Sequence, residues 1–89
     1  MELVDLLKPE AVRASSNIQS KKRLFLDLAE IAAAAYDIDE ASTVDALQER
    51  ESLGPTGVGH GVALPHARID GISEVRGVFI RLDKPLDYG

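Results

Sequence analysis

The segment from Gly54 to Arg68 constrains the fold more than any other part of the chain, because four glycines fall within its first eight residues. Glycine adopts positive φ without penalty and lets the backbone approach a bound group, but it disfavours a helix interior. A short apolar run follows the glycines and ends at His66. The sequence therefore predicts a helix that stops at Gly54, a glycine-rich loop, and a strand from Gly61 to His66 with a titratable side chain at its end.

Hydrophobic periodicity predicts two helices before this segment. The first begins after Ser20, whose hydroxyl is suited to an N-cap. It carries an apolar stripe on one face, formed by Leu24, Leu28, Ile31 and Ala35. Lys21 and Lys22 lie at the N-terminus of this helix, where the helix dipole disfavours positive charge. We expect both side chains to be tolerated there because they are exposed to solvent. The second helix runs from about Glu40 to Leu53, with Val44, Leu47 and Glu51 in successive turns, and Gly54 ends it.

Two further strands are predicted outside the glycine-rich segment. One is a short strand around Val12, between Glu10 and Ser15. The other lies between Val75 and Leu82, where the side chains alternate. Its two faces are formed by Val78, Ile80 and Leu82 on one side and by Phe79 and Arg81 on the other. This small number of strands and helices leaves apolar faces of the sheet uncovered. We therefore expect that the sheet pairs with another chain or belongs to a larger domain.

Composition limits the function classes. With 89 residues the chain forms at most one small domain, and its net charge of -5 argues against a nucleic-acid partner. The absence of cysteine excludes a disulfide framework and thiolate chemistry. No apolar run reaches the roughly 20 residues that a membrane span needs, and the first residues do not match a signal peptide. We therefore expect a cytoplasmic protein without membrane insertion.

His66 is the strongest candidate for chemistry. An imidazole has two distinct nitrogens, and if a backbone carbonyl accepts the proton of one, the other keeps a lone pair as a nucleophile. That arrangement suits transfer of a phosphoryl group to nitrogen. On the histidine alone, a capped, unreactive side chain at a strand end is the plainer interpretation. A metal site shared with His60 is not expected, because the two rings would lie about 20 Å apart along one strand.

The residues around His66 add weaker signals. Arg50, near the end of the second helix, carries a guanidinium suited to bidentate phosphate contacts, although a solvated arginine at a helix end is the plainer interpretation. Arg68 is a second candidate on the same side of an extended segment. The glycine-rich loop is not a Walker A sequence, but its free N–H groups are able to form an anion-binding concavity. An ordinary helix-to-strand connection remains the alternative.

One run of the chain carries a family resemblance. The residues from Gly57 to His66, GVGHGVALPH, resemble the active-site segment of enzyme IIA proteins of the fructose/mannitol class of the bacterial phosphotransferase system. Within that class the chain is most similar to the nitrogen-regulatory, PtsN-like branch. That similarity rests on further short segments, Asp5 to Leu7, Ser20 to Arg23, Glu49 to Glu51 and Arg81 to Asp87.

The resemblance implies a fold and a set of roles. The fold would be α/β, with a mixed β-sheet flanked by helices. His66 matches the histidine that accepts a phosphoryl group from a phosphohistidine on a small HPr-like carrier protein, and Arg50 matches the arginine beside it. The expected phosphate-binding residues are those of the loop, Gly57, Gly59, His60 and Gly61. No metal, nucleotide or other cofactor is expected.

The resemblance also implies how the chain is used. It predicts a phosphoryl-transfer and regulatory protein that signals nitrogen, carbon or potassium status to target proteins. A fructose-type sugar-uptake component that passes the phosphoryl group to a IIB domain is an alternative. A second alternative is a truncated protein-binding module without transfer activity, and a third is an inert fragment that forms homo-oligomers through its incomplete sheet. Residues 1–89 are expected to be an N-terminal portion of the enzyme IIA domain, with the family's second active-site histidine beyond Gly89.

Overall fold

The computed structural model describes residues 8–15, 18–59, 61–69, 76–82 and 86. In chain order its elements are a 3-10 turn at Pro9–Ala11, strand β1 at Val12–Ser15, helix α1 at Lys21–Tyr36, helix α2 at Glu40–Ser52, and strands β2 at Gly57–Gly59, β3 at Val62–Ala63 and β4 at Phe79–Leu82. The predicted α/β class is confirmed. Neither helix in the described part of the chain is long and apolar enough to cross a bilayer.

Helix α1 begins where the sequence predicts. The Ser20 Oγ accepts a hydrogen bond from the backbone N–H of Arg23 at 3.1 Å, which satisfies one of the free amides of the first turn. The helix ends at Tyr36, because Asp37 turns the backbone into the left-handed region with a φ of 57°. The buried face is formed by Leu24, Phe25, Ala29, Ile31, Ala32 and Ala35.

Helix α2 begins at a cap that the sequence reasoning did not identify. The Asp39 carboxylate accepts hydrogen bonds from the Ser42 hydroxyl at 2.7 Å and the Ser42 backbone N–H at 2.9 Å. These bonds, the side-chain bond first, lower the pKa of Asp39 because they favour its ionised form. The helix ends at Ser52, one residue before the predicted end, because the Leu53 N–H donates to the Arg50 carbonyl in a tighter turn.

Strands β1 and β4 form a parallel pair in which Val12 lies opposite Phe79. Parallel strands require a crossover, and here the chain between them contains both helices and the other two strands. The alternation predicted for β4 is confirmed, since Ile80 and Leu82 are partly buried while Phe79 and Arg81 are exposed. The apolar side of β4 therefore faces the core.

The strand predicted from Gly61 to His66 is wrong in its bounds. Strands β2 and β3 form an antiparallel hairpin, and β3 contains only Val62 and Ala63. The ladder stops soon afterwards because Pro65 has no N–H to donate and the Leu64 carbonyl is taken by the His66 ring. The glycine-rich segment, predicted as a loop, supplies β2. Parallel and antiparallel pairing thus occur in two separate two-stranded sheets within the described residues.

Two apolar clusters join the helices to the strands. The first consists of Ile18, Leu24, Phe25 and Leu47, with Leu28, Ala67, Ile80, Leu82 and Leu86 packed against it. The second consists of Ala11, Ile31 and Ala35, with Tyr36, Val78 and Ile80 packed against it. Burial of a side chain as large as Phe25 contributes about 1.5–3 kcal/mol to stability. Because Ala67 packs on the first cluster, the core reaches the residue that follows His66.

Candidate functional site

His66 lies on the outward side of the segment that follows β3. Exposure alternates along this segment, so that Leu64, His66 and Arg68 are exposed and Pro65, Ala67 and Ile69 are partly buried. A period of two is characteristic of extended backbone, whose side chains point alternately to opposite sides. Ala67 packs on the core, and this contact fixes the backbone next to His66 while its imidazole stays accessible to solvent.

Both ring nitrogens of His66 have a partner that defines the tautomer. Nδ1 lies 3.0 Å from the carbonyl oxygen of Leu64, and Nε2 lies 3.2 Å from Nε of Arg50. A carbonyl oxygen accepts only and a guanidinium donates only. Both contacts therefore require the same neutral form, in which Nδ1 carries the proton and Nε2 carries the lone pair. The atom available for nucleophilic attack is Nε2.

Arg50 is held by the turn that ends helix α2. Besides the contact with His66, its Nη1 donates to the Gly54 carbonyl at 3.0 Å. The sequence suggested two roles for Arg50, at the end of the helix and beside the histidine. The side chain makes both contacts at once, with the Gly54 carbonyl and with the His66 ring. Arg68 is exposed, and it is Arg50 that the fold brings within hydrogen-bond distance of His66.

Three of the predicted phosphate-binding residues lie in the hairpin that leads to His66. Gly57 pairs with Ala63 and Gly59 with Val62, so a bulge interrupts the ladder between the two glycines. Gly59 and Gly61 have φ values of 84° and 74°, in the region that favours glycine. A Cβ at either would meet nothing within 4 Å, so the turn requires glycine for its backbone conformation and not for close packing. His60, the fourth predicted residue, lies outside the described residues.

A buried carboxylate behind the site was not recognised as functional from the sequence. Glu51 Oε2 accepts hydrogen bonds from Lys21 Nζ at 2.9 Å and from the Thr56 N–H at 3.1 Å. Its Oε1 accepts from the Thr56 hydroxyl at 2.6 Å. The Glu51 side chain is only 7% exposed. The explanation of Lys21 as a solvated surface charge is wrong, because its ammonium pairs with this carboxylate.

The contacts of Glu51 keep it ionised. Burial raises the pKa of Glu51, but the hydrogen bonds from Thr56 and Lys21, together with the Lys21 charge, lower it by more. The net pKa lies below the usual value, so the group is a carboxylate at neutral pH and accepts all three bonds. The sequence did contain a signal for this role, since Glu51 follows the buried Leu47 by one helical turn and so falls on the apolar face of α2.

The arrangement of these residues is chemically suited to an anionic, electrophilic group. An exposed nitrogen with a lone pair lies beside a positively charged guanidinium, and the glycine hairpin leads directly into the segment that carries the histidine. Among the described side chains, no group of three or more histidines and carboxylates is placed to hold a metal ion. The sequence did not predict a metal site shared by His66 and His60, and His60 lies outside the described residues.

Comparisons with known proteins give the context of this site. Residues 5–89 match the family described as "Phosphoenolpyruvate-dependent sugar phosphotransferase system, EIIA 2". The chain is 39% identical over 88 residues to a nitrogen regulatory protein of Bradyrhizobium diazoefficiens, covering 99% of this chain and 58% of that protein. It is 36% identical over 88 residues to a "PTS system fructose-specific EIIA component" of Haloferax volcanii, covering 99% and 53%.

A solved structure is similar as well. The crystal structure of nitrogen regulatory protein IIA-Ntr from Neisseria meningitidis has a TM-score of 0.86 and 33% sequence identity to this chain. The similarity covers 94% of this chain and 57% of that one. The chain thus spans about half the length of the relatives that it matches.

Proposed function

This chain belongs to the EIIA 2 family of the phosphoenolpyruvate-dependent sugar phosphotransferase system, and from this premise we propose that it accepts a phosphoryl group on Nε2 of His66 from a phosphohistidine carrier protein. The resemblance seen in residues 57–66 is confirmed by that membership. The observation that supports the proposal is the pair of contacts on the ring, in which Leu64 binds the Nδ1 proton and Arg50 faces Nε2.

The reaction requires little covalent work from the protein. The Nε2 lone pair attacks phosphorus and forms a new P–N bond, while the P–N bond to the donor imidazole breaks and its electron pair returns to the donor nitrogen. Each imidazole keeps the proton on its other nitrogen, so no net proton transfer is needed. The Leu64 carbonyl stabilises the positive charge that develops on the His66 ring, since it accepts the Nδ1 proton.

Arg50 acts on the phosphoryl oxygens. Before transfer its Nε–H occupies the Nε2 lone pair at 3.2 Å, and the incoming phosphorus displaces this contact. The bond to the Gly54 carbonyl keeps the guanidinium close, so its donors then face the charge that spreads over the equatorial oxygens. Backbone N–H groups near Gly57, Gly59 and Gly61, together with His60, are proposed to bind the remaining oxygens.

The proposed partners follow from the family. An HPr-like phosphocarrier donates the phosphoryl group, and the names of the similar proteins favour a regulatory role. The proposed location is the cytoplasm. Phosphorylation adds close to two negative charges beside Leu64, an apolar residue that is 61% exposed. A change of this size at an exposed apolar surface is sufficient to create or disrupt binding of a target protein.

The test is transfer of labelled phosphate from a phosphorylated HPr-like carrier. We expect His66→Ala to take up no label and Arg50→Lys to lose about 100-fold in kcat/KM, because it removes a preorganised donor. The matched control is Arg68→Lys, at the other arginine close to His66 in the sequence, and it should accept label. Equal labelling of wild type and His66→Ala would overturn the assignment.

A sugar-uptake role is the second candidate, because one similar protein is named as a fructose-specific component. Its test is a chase of the labelled protein with a fructose-type IIB domain. Rapid loss of label to IIB would favour sugar uptake, whereas retention of the label together with phosphate-dependent capture of another protein would favour regulation.

A further inference from the structure

A continuous series of hydrogen bonds runs from helix α1 to the His66 ring. Lys21 donates to Glu51, and Thr56 donates to the same carboxylate through both its N–H and its hydroxyl. The Thr56 carbonyl accepts from the Leu64 N–H at 2.9 Å. The Leu64 carbonyl then accepts from Nδ1 of His66 at 3.0 Å. The carboxylate is thus connected to the ring through two residues of the hairpin segment.

Apolar packing does not hold this part of the hairpin. Val58, Val62 and Leu64 are exposed by 57%, 51% and 61%, so their side chains contribute little burial. Thr56 is different, since it is 6% exposed and its N–H and its hydroxyl both donate to Glu51. A buried carboxylate with good geometry restricts its partners in direction as well as distance. Thr56 is therefore the point at which the hairpin is fixed to α2.

We propose that Glu51 is a positioning residue for His66. Through Thr56 and Leu64 it places the carbonyl that binds the Nδ1 proton, and so it selects the tautomer and directs Nε2 toward Arg50. The same turn of α2 carries Arg50, so one rigid element aligns the nucleophile and the guanidinium together. The kinetic consequence rests on the proposed phosphoryl transfer, whereas the effect on the tautomer does not.

A matched pair of substitutions at Thr56 isolates the hydrogen bond from the packing. Thr56→Val keeps the shape and removes the hydroxyl, while Thr56→Ser keeps the hydroxyl and removes a methyl group. Glu51→Gln removes the negative charge of the carboxylate. Lys21→Gln removes the ion pair that Glu51 makes with Lys21, whose side chain is 29% exposed. Ile31→Val serves as a control that destabilises the core elsewhere, since Ile31 is buried in the other cluster.

The readout is ¹⁵N NMR of the imidazole nitrogens in the full 89-residue chain, together with transfer rates from an HPr-like carrier. We expect wild type, Thr56→Ser and Ile31→Val to show a protonated Nδ1 and an unprotonated Nε2. Thr56→Val and Glu51→Gln should show mixed tautomers and about a tenfold lower kcat with an unchanged KM for the carrier. Lys21→Gln should change the tautomer populations in the same direction as Glu51→Gln, but by a smaller amount.

Three results would overturn the positioning role. The first is that Thr56→Val and Glu51→Gln keep the wild-type imidazole signals. The second is that Thr56→Ser and Thr56→Val have equal defects. The third is that Ile31→Val shifts the imidazole signals as far as Thr56→Val does. If Glu51→Gln does not fold, the two Thr56 variants and Lys21→Gln still decide the question. If no variant, including wild type, accepts phosphate, the proposed function fails, but the tautomer populations still test the positioning role.

Discussion

The helix pair and the hairpin of this protein are stabilised by different forces. Helices α1 and α2 are held by buried apolar side chains, of which Phe25 and Ile31 are only 2% and 1% exposed. The β2–β3 hairpin leaves its valines exposed and is fixed through Thr56 to the Glu51 carboxylate. Apolar burial contributes most of the free energy but little direction, whereas a hydrogen bond contributes less energy and fixes an angle. The proposed phosphoryl transfer takes place at His66, where the series of directional contacts ends.

The largest expected effect on stability is in the helix pair. Phe25→Ala should lower the free energy of unfolding by about 3–5 kcal/mol, because it leaves a cavity in the first apolar cluster. Urea denaturation measures the loss. The His66 ring signals in the folded fraction should not change. Leu53→Ala is the control, since Leu53 is 80% exposed and its loss should cost within about 0.5 kcal/mol. Equal losses for the two variants would contradict the assignment of the core.

The next largest effect is in the hairpin anchor. Glu51→Gln should lower the free energy of unfolding by about 1–3 kcal/mol, because the buried Thr56 hydroxyl and the partly buried Lys21 ammonium lose a charged acceptor. The same denaturation experiment applies. Unlike Phe25→Ala, this variant should also change the ring signals of His66. A large loss of stability with unchanged ring signals would remove the distinction between the two regions.

Acid should erase the stability that Glu51 contributes. Its pKa is lowered in the folded protein, so the contribution is complete above the unfolded pKa of about 4.3 and is lost as the pH falls through the folded value. The difference in urea midpoint between wild type and Glu51→Gln should therefore be constant near neutral pH and shrink in acid. A difference that grows on acidification would show that the folded pKa is raised instead.

The smallest effect is at the start of α1. Ser20→Ala removes the cap on Arg23 and should cost about 1 kcal/mol, measured by the urea midpoint. The His66 ring signals should stay at their wild-type positions, since Lys21 remains in the helix and keeps its contact with Glu51. A shift of the ring as large as that in Glu51→Gln would mean that helix fraying, and not the carboxylate, controls the site.

The sequence predicted the parts of the fold that have side-chain patterns. Ser20 before a stripe of apolar residues defined α1, and the alternation in residues 78–82 defined the two sides of β4. Strand β2 was not predicted because Gly57 and Gly59 have no side chains to form an alternating pattern, and the pairing depends on backbone bonds alone. Pro65 explains why the predicted strand over residues 61–66 is too long.

The sequence predicted which residues form the candidate site, but not the hydrogen bonds of Glu51 that hold the hairpin beside it. The motif around His66 and the resemblance to a known family named the histidine and Arg50, and the fold brings them within 3.2 Å. Glu51 was placed on the face of Leu47 from the helical period, but its partners come from distant positions, Lys21 and Thr56. A helical pattern cannot show which buried charge finds partners, because those contacts depend on how α1 and the hairpin meet α2.

We propose above that Nε2 of His66 is the atom that receives the phosphoryl group. The most direct measurement is ³¹P and ¹⁵N NMR of the chain after phosphorylation by an HPr-like carrier, with ¹⁵N in the imidazole rings. We expect phosphorus bonded to Nε2 of His66, with the proton still on Nδ1. Phosphorus on Nδ1, or on His60 with His66 unmodified, would contradict it.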